Sequence, residues 1–140
     1  ERDDIAAVSA VGADAALDQI IDPAFSGDPA ATDAAYARAL ASGVSPVAVL
    51  RVMQRRIDQI DIFHASGGDA GALARAGAPR FGPPADAFKR SARAWRGRRL
   101  DQARRLAFDT ERAVKRSGAP GEALVGALVL RLARAAAGSR

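Results

Sequence analysis

The sequence predicts an all-α fold, a single compact bundle of about five to seven helices, on three observations. Thirty-five of the 140 residues are alanine, the best helix former and a poor strand former. Apolar residues recur at three- and four-residue steps, the period of a helix with one buried face. No run of β-branched residues alternates with polar ones, so nothing reads as a strand.

The elements follow from punctuation. Residues 3–10 and 14–25 read as two shorter helices, the second carrying Leu17, Ile20, Ile21 and Phe25. In "GDP" at 27–29, Asp28 is an N-cap and Pro29 the first helical residue, with Gly43 as the stop. "SP" at 45–46 repeats the device and starts a long helix that ends at "SGG", 66–68. Within it Val47, Leu50, Met53, Ile57, Ile60 and Phe63 form one apolar stripe. Asp69 caps a short helix to about Ala76, and "GAPRFGPP", 77–84, is a loop rich in breakers. Three helices complete the chain, over about 84–95, about 97–117 and about 120–137, the last carrying Leu128 and Leu132 and closed by Gly138.

Charge is unevenly spread. The net charge is +5, yet residues 1–50 hold eight acids and two arginines, a balance of −6, while residues 89–116 hold eleven bases and three acids, a balance of +8. Such halves attract each other within one fold or face different neighbours in an assembly. The joint richness in Ala and Arg also suits a GC-rich genome, which loosens the link between arginine content and function. Cysteine is absent, which excludes disulfides and thiolate metal sites and points to a reducing compartment. The apolar runs either side of Gly126 are far too short for a membrane span, and no signal peptide precedes the domain. The chain opens on Glu1 and not Met, so a longer parent protein is expected.

The densest cationic stretch is "KRSARAWRGRRLDQARR", residues 89–105, with eight bases, one acid and the single tryptophan. It suggests a nucleic-acid surface, with arginines for phosphates and Trp95 for a base. A helical wheel at about 100° per residue argues otherwise, placing Trp95 roughly 20° from Phe88 and Ala92 on the same side, while Lys89, Arg90, Arg93 and Arg96 lie opposite. Phe88 and Trp95 are therefore expected in the core. On the next helix Leu100, Ala103, Leu106, Ala107, Thr110 and Val114 cluster, with Arg98, Arg104, Arg105, Arg112, Lys115 and Arg116 opposite. Asp101 with Arg105, Arg105 with Asp109, and Glu111 with Lys115 are at i, i+4 spacing, each pair contributing about 0.2–0.5 kcal/mol. A solvated face is the first reading, nucleic-acid contact the second and a protein interface the third. The residues for either contact are Arg90, Arg93, Arg98, Arg105 and Arg112.

No catalytic constellation is legible. His64 is the single histidine, and with no cysteine neither a zinc site nor a Cys/His pair can be assembled. Asp58 and Asp61 could share a helix face as a carboxylate pair, but beside Arg55 and Arg56 an exposed charged face is the preferred reading. "SGGDAG" and "GAPRFGPP" follow no strand and precede no Gly-Lys-Ser/Thr, so neither is a phosphate-cradling loop. The serines fall at helix ends or beside no base. An enzyme is not expected from this chain alone, nor a metal or other cofactor.

The order of features resembles one family. "GDPAATDAAYARALASGVSPVAVLRVMQRRIDQI", residues 27–60, looks like the opening of the C-terminal domain of the delta subunit of the bacterial DNA polymerase III clamp loader: a Gly-Asp helix start, an Ala/Leu-rich helix, a Gly-x-x-Pro break and a following "ILR"-like helix. "AFKRSARAWRGRRLDQARRLAFDTERAVKRSGAPGEALVGALVLRLA", residues 87–133, is similar to that domain's second half, and "DDIAAVSAVGADAALDQIIDPAFSGD" resembles the junction entering it. The sequence departs from the family at "GAPRFGPPAD", where relatives carry a more hydrophobic segment. The resemblance implies a junction over residues 1–26 and a helical collar, or oligomerisation, domain over 27–140. It implies a non-catalytic part of a DNA-directed DNA polymerase, a nucleotidyltransferase (transferase) complex, working in cytoplasmic DNA replication. The collar would join delta-prime and gamma/tau subunits. The sliding clamp would be met only through two missing AAA+-like N-terminal domains. DNA binding by the basic face is the alternative, and no membrane partner is implied.

Overall fold

The computed structural model describes the backbone of residues 2–116 and 118–138, and side chains from Asp14 onward within that range. The described residues form seven helices and no strand: α1 (Arg2–Ser26), α2 (Pro29–Ala41), α3 (Pro46–Ala65), α4 (Ala70–Ala76), α5 (Gly82–Ala94), α6 (Arg98–Val114) and α7 (Gly121–Ala137).

Where the sequence suggested two short N-terminal helices, α1 runs unbroken. A glycine inside a helix costs only about 1 kcal/mol relative to alanine, and the alanines flanking Gly12 carry the helix through. It ends in a Schellman turn, with the Gly27 and Asp28 amides donating to the Pro23 carbonyl at 3.0 and 2.9 Å. Gly27 takes φ 91° there. Asp28 then caps α2, its carboxylate accepting from the Ala31 amide at 3.0 Å. The passage from residue 26 to 27 is thus a tight corner, and the segment expected as a junction packs with the rest: Ile20, Ile21 and Phe25 are fully buried.

The other starts use the residues the sequence offered. Ser45 accepts from Ala48 at 3.1 Å and Asp69 from Ala72 at 2.9 Å. Helix α5 begins at Gly82, within the breaker loop, because Pro83 and Pro84 fall in a first turn whose N–H groups need no partner.

Helix α1 packs on α2, α3, α5 and α7, and α3 packs on α1, α4, α6 and α7, so these two form the centre. Leu50, Met53, Ile57, Ile60 and Phe63 of α3 are buried together with Phe88, Trp95, Leu100, Leu128 and Leu132. The stripe starts one turn later than its spacing suggested, since Val47 is 41% exposed while Val49 is buried. Val47 and Val49 share the first turn but lie about 160° apart around α3, so Val49 faces the core and Val47 faces out. Tyr36 of α2 lies over Gly126 of α7, where a Cβ would come 2.9 Å from the ring, and its hydroxyl donates to the Glu122 carbonyl at 2.7 Å. Among the described residues no buried side-chain donor or acceptor lacks a partner, as a stable core requires.

Candidate functional site: the basic face of α5 and α6

Trp95 ends α5 and is 1% exposed. Its indole N–H donates to the Phe25 carbonyl at 2.8 Å, and its ring meets the Phe25 ring edge-on at 5.4 Å. The indole therefore caps the C-terminus of α1 and has no face open to a base. His64 performs the matching task on α5: its Nε2 lies 2.8 Å from the Ala92 carbonyl and 3.0 Å from that of Trp95. A ring nitrogen facing two acceptors carries the proton, so His64 is a donor to the end of α5.

The bases around Trp95 divide into two sets. Some are engaged by the fold. The Arg99 guanidinium donates to the Ala135 carbonyl at 3.1 Å, closing the end of α7. Arg104 reaches across to α3 and joins both Asp58, at 2.6 Å, and Asp61, at 3.2 Å. Asp58 and Asp61 thus share a face, where they act as paired anchors for one guanidinium. One turn pair further along, Gln54 of α3 donates to Glu111 of α6 at 2.8 Å, which sets the two helices antiparallel. That bond and the Lys115 ammonium hold the Glu111 carboxyl below its ordinary range.

Arg90, Arg93, Arg98, Arg105 and Arg112 are exposed and have no acidic partner among the described residues. Of the three i, i+4 pairs on α6, only Glu111–Lys115 closes, at 3.2 Å. Arg105 points outward between Asp101 and Asp109 without pairing, since ordering long exposed side chains offsets the small Coulomb gain. Arg112 lies over the Phe108 ring at 5.9 Å, and that ring is 55% exposed. On α6 the residues 98, 105 and 112 recur every seven positions, so their Cα atoms form a ridge with steps of about 10.5 Å.

Two clefts flank Arg90 and Ser91. One, of about 610 Å³, is lined by Arg90, Arg93 and Arg99 where the C-termini of α1, α5 and α7 meet. The partial negative charge of those helix ends is countered by the arginines. The other, of about 450 Å³, sets Asp18 and Asp22 against Arg55, Arg56 and Arg90. Burial, and then the neighbouring Asp22 carboxylate, raises the pKa of Asp18.

Arg56 departs from the exposed face expected for it. Its side chain is 16% exposed, pairs with Asp22 at 2.7 Å, and lies 5.8 Å from the Phe25 ring and 5.9 Å from the Phe88 ring. The wheel carried the signal, because Arg56 falls about 60° from Met53, on the flank of the apolar stripe. Asp22–Arg56 thus ties the acidic first part of the chain to α3 and not to the basic stretch 89–116, and the ridge on α6 is left uncompensated.

No group of three or more His, Asp or Glu among the described residues could hold a metal ion, and no helix there is long and apolar enough to cross a membrane. The chain matches no protein-family model, no curated protein and no solved structure.

Proposed function

We propose that this chain is a non-catalytic assembly domain, the collar of a DNA polymerase III delta subunit, acting in the cytoplasm to hold a clamp loader together for DNA replication. One observation supports the reading most. The core expected from the sequence, Leu50 to Phe63 of the α3 stripe with Phe88, Trp95, Leu100, Leu128 and Leu132, is buried in the bundle, whereas Arg90, Arg93, Arg98, Arg105 and Arg112 stand outside it without acidic partners. The uncompensated cations of α6, Arg98, Arg105 and Arg112, beside the exposed Phe108, suit a complementary neighbour better than they suit the chain alone. On this reading the neighbours are the delta-prime and gamma/tau collars. The test is co-elution of the purified chain with each of those collars. A salt-sensitive complex is expected, and no association at micromolar concentrations overturns the reading.

The same unpaired arginines favour a second reading, direct binding of single-stranded or primed DNA. Affinity would then fall linearly on a log–log salt plot, with a slope of about −0.7 per phosphate neutralised on single strands. Unchanged affinity in Arg93→Glu with Arg105→Glu rules it out.

A further inference from the structure

Between α6 and α7 runs a groove of about 380 Å³ with an apolar floor of Ala103, Leu106, Leu132 and Ala135. Arg105 stands on its α6 wall and Arg131 on its α7 wall, and no Asp or Glu lines it. Both guanidiniums lack an acidic partner among the described residues. The two clefts beside Arg90 differ in kind: one is balanced by its own carboxylates, the other by three helix ends. Here the positive charge has no internal counterpart. An aliphatic floor gains nothing from a sugar-phosphate backbone, which is polar throughout, but it does gain from apolar side chains. Small alanines on both walls, Ala103 of α6 and Ala135 of α7, let a third helix approach closely.

We propose that the α6/α7 groove is a docking site for an acidic amphipathic helix of a partner protein, with apolar anchors on the floor and carboxylates facing Arg105 and Arg131. Arg105 lines the groove and Arg98 and Arg112 lie seven residues either side of it on α6, so carboxylates repeated every seven residues on the docked helix would meet successive guanidiniums. The proposal deepens the assembly reading by naming the surface and the chemistry of what it holds.

The experiment uses the whole chain and a capped helical peptide of about three Leu/Glu heptads, with leucine at a and d. Binding is read from amide shifts at Ala103, Leu106 and Ala135 and from the fluorescence of Trp95, which lines the same groove. Saturable binding confined to those positions is expected, lost when the peptide's leucines become alanine or its glutamates lysine. Arg105→Glu with Arg131→Glu is expected to weaken it by at least about tenfold, and the milder Arg105→Gln with Arg131→Gln by less. Both side chains are exposed, so far-UV circular dichroism should stay unchanged. Peptide binding elsewhere on the chain, no binding at millimolar concentration, or indifference to both double substitutions overturns the proposal. So does displacement of the floor signals by an oligothymidylate, which assigns the groove to nucleic acid, or a self-association that the double substitution abolishes, which assigns it to a second copy. Collar partners that bind regardless of Arg105 and Arg131 would leave the assembly reading standing and this groove out of it. A peptide that docks as described, with no collar partner binding, would do the reverse.

Discussion

The arginines held by the fold and those on the outer ridge of α6 have the same chemistry and opposite fates. Arg56 lies against two aromatic rings with Asp22 at 2.7 Å, and Arg104 joins two carboxylates of the facing helix. Arg105, next in sequence to Arg104, touches no acid among the described residues. The difference is one of angle. A step of about 100° carries the chain from the side of α6 that meets α3 to the side that edges the groove towards α7. Arginine content therefore says little about function until each guanidinium has been placed.

The sharpest break of that comparison is at its hinge, Trp95. If it belongs to the core, Trp95→Ala destabilises the chain by about 3–5 kcal/mol, measured by urea unfolding. Trp95→Phe, which keeps the ring but orphans the Phe25 carbonyl, destabilises by about 1–3 kcal/mol. A Trp95→Ala variant of native stability would return the indole to the surface and to base stacking.

Next in size is the corner between α1 and α2. A Cβ at Gly27 would lie 2.6 Å from the Ala137 backbone nitrogen, and the residue has φ 91°. Gly27→Ala is expected to cost about 2–4 kcal/mol, combining overpacking with left-handed strain. A loss below 0.5 kcal/mol, on the order of an ordinary surface change, would mean that α7 does not close against this corner.

Neighbouring arginines give the middle of the scale. Arg56→Ala should lose about 1–2 kcal/mol through its ring contacts and its buried stem, whereas Arg55→Ala should change stability by less than about 0.5 kcal/mol. Equal effects would erase the distinction between engaged and unengaged guanidiniums.

The smallest effect appears only in alkali. Tyr36, the single tyrosine, has its hydroxyl pushed up from 10.0 to about 12 by burial, with the Glu122 charge adding to it. The folded state holds this proton more tightly than the unfolded chain does. Its contribution is therefore full below about pH 10 and is lost as pH rises towards about 12. The tyrosinate absorbance should titrate near the upper value in the folded chain and near the lower in urea, and Tyr36→Phe should remove this part of the alkaline loss.

Much of the architecture was legible because helix ends are written in local chemistry. Asp28–Pro29, Ser45–Pro46 and Asp69 each act within four residues of themselves, and the structure uses all three as caps. The α3 stripe and the burial of Trp95 follow from periodicity, which is also local. What periodicity could not supply was the identity of neighbours. Arg104 finds its acids 43 and 46 positions away in sequence, while the i, i+4 acids beside Arg105 stay unpaired. His64 is bonded to the end of a helix 28 positions on, and nothing in its own surroundings announces that. Local pattern suggests two helices over 3–10 and 14–25, whereas α1 runs through Gly12 without a break.

The central claim is that the unengaged arginines form an assembly surface and do not stabilise the fold. The direct measurement is association of the chain with delta-prime and gamma/tau collars, by sedimentation velocity, for the wild type and for Arg90→Glu, Arg93→Glu, Arg105→Glu and Arg112→Glu combined, alongside thermal unfolding of both. A wild-type complex that the four reversals abolish is expected, with Tm within a few degrees of wild type. A complex that survives the reversals, or no complex with either collar, contradicts it.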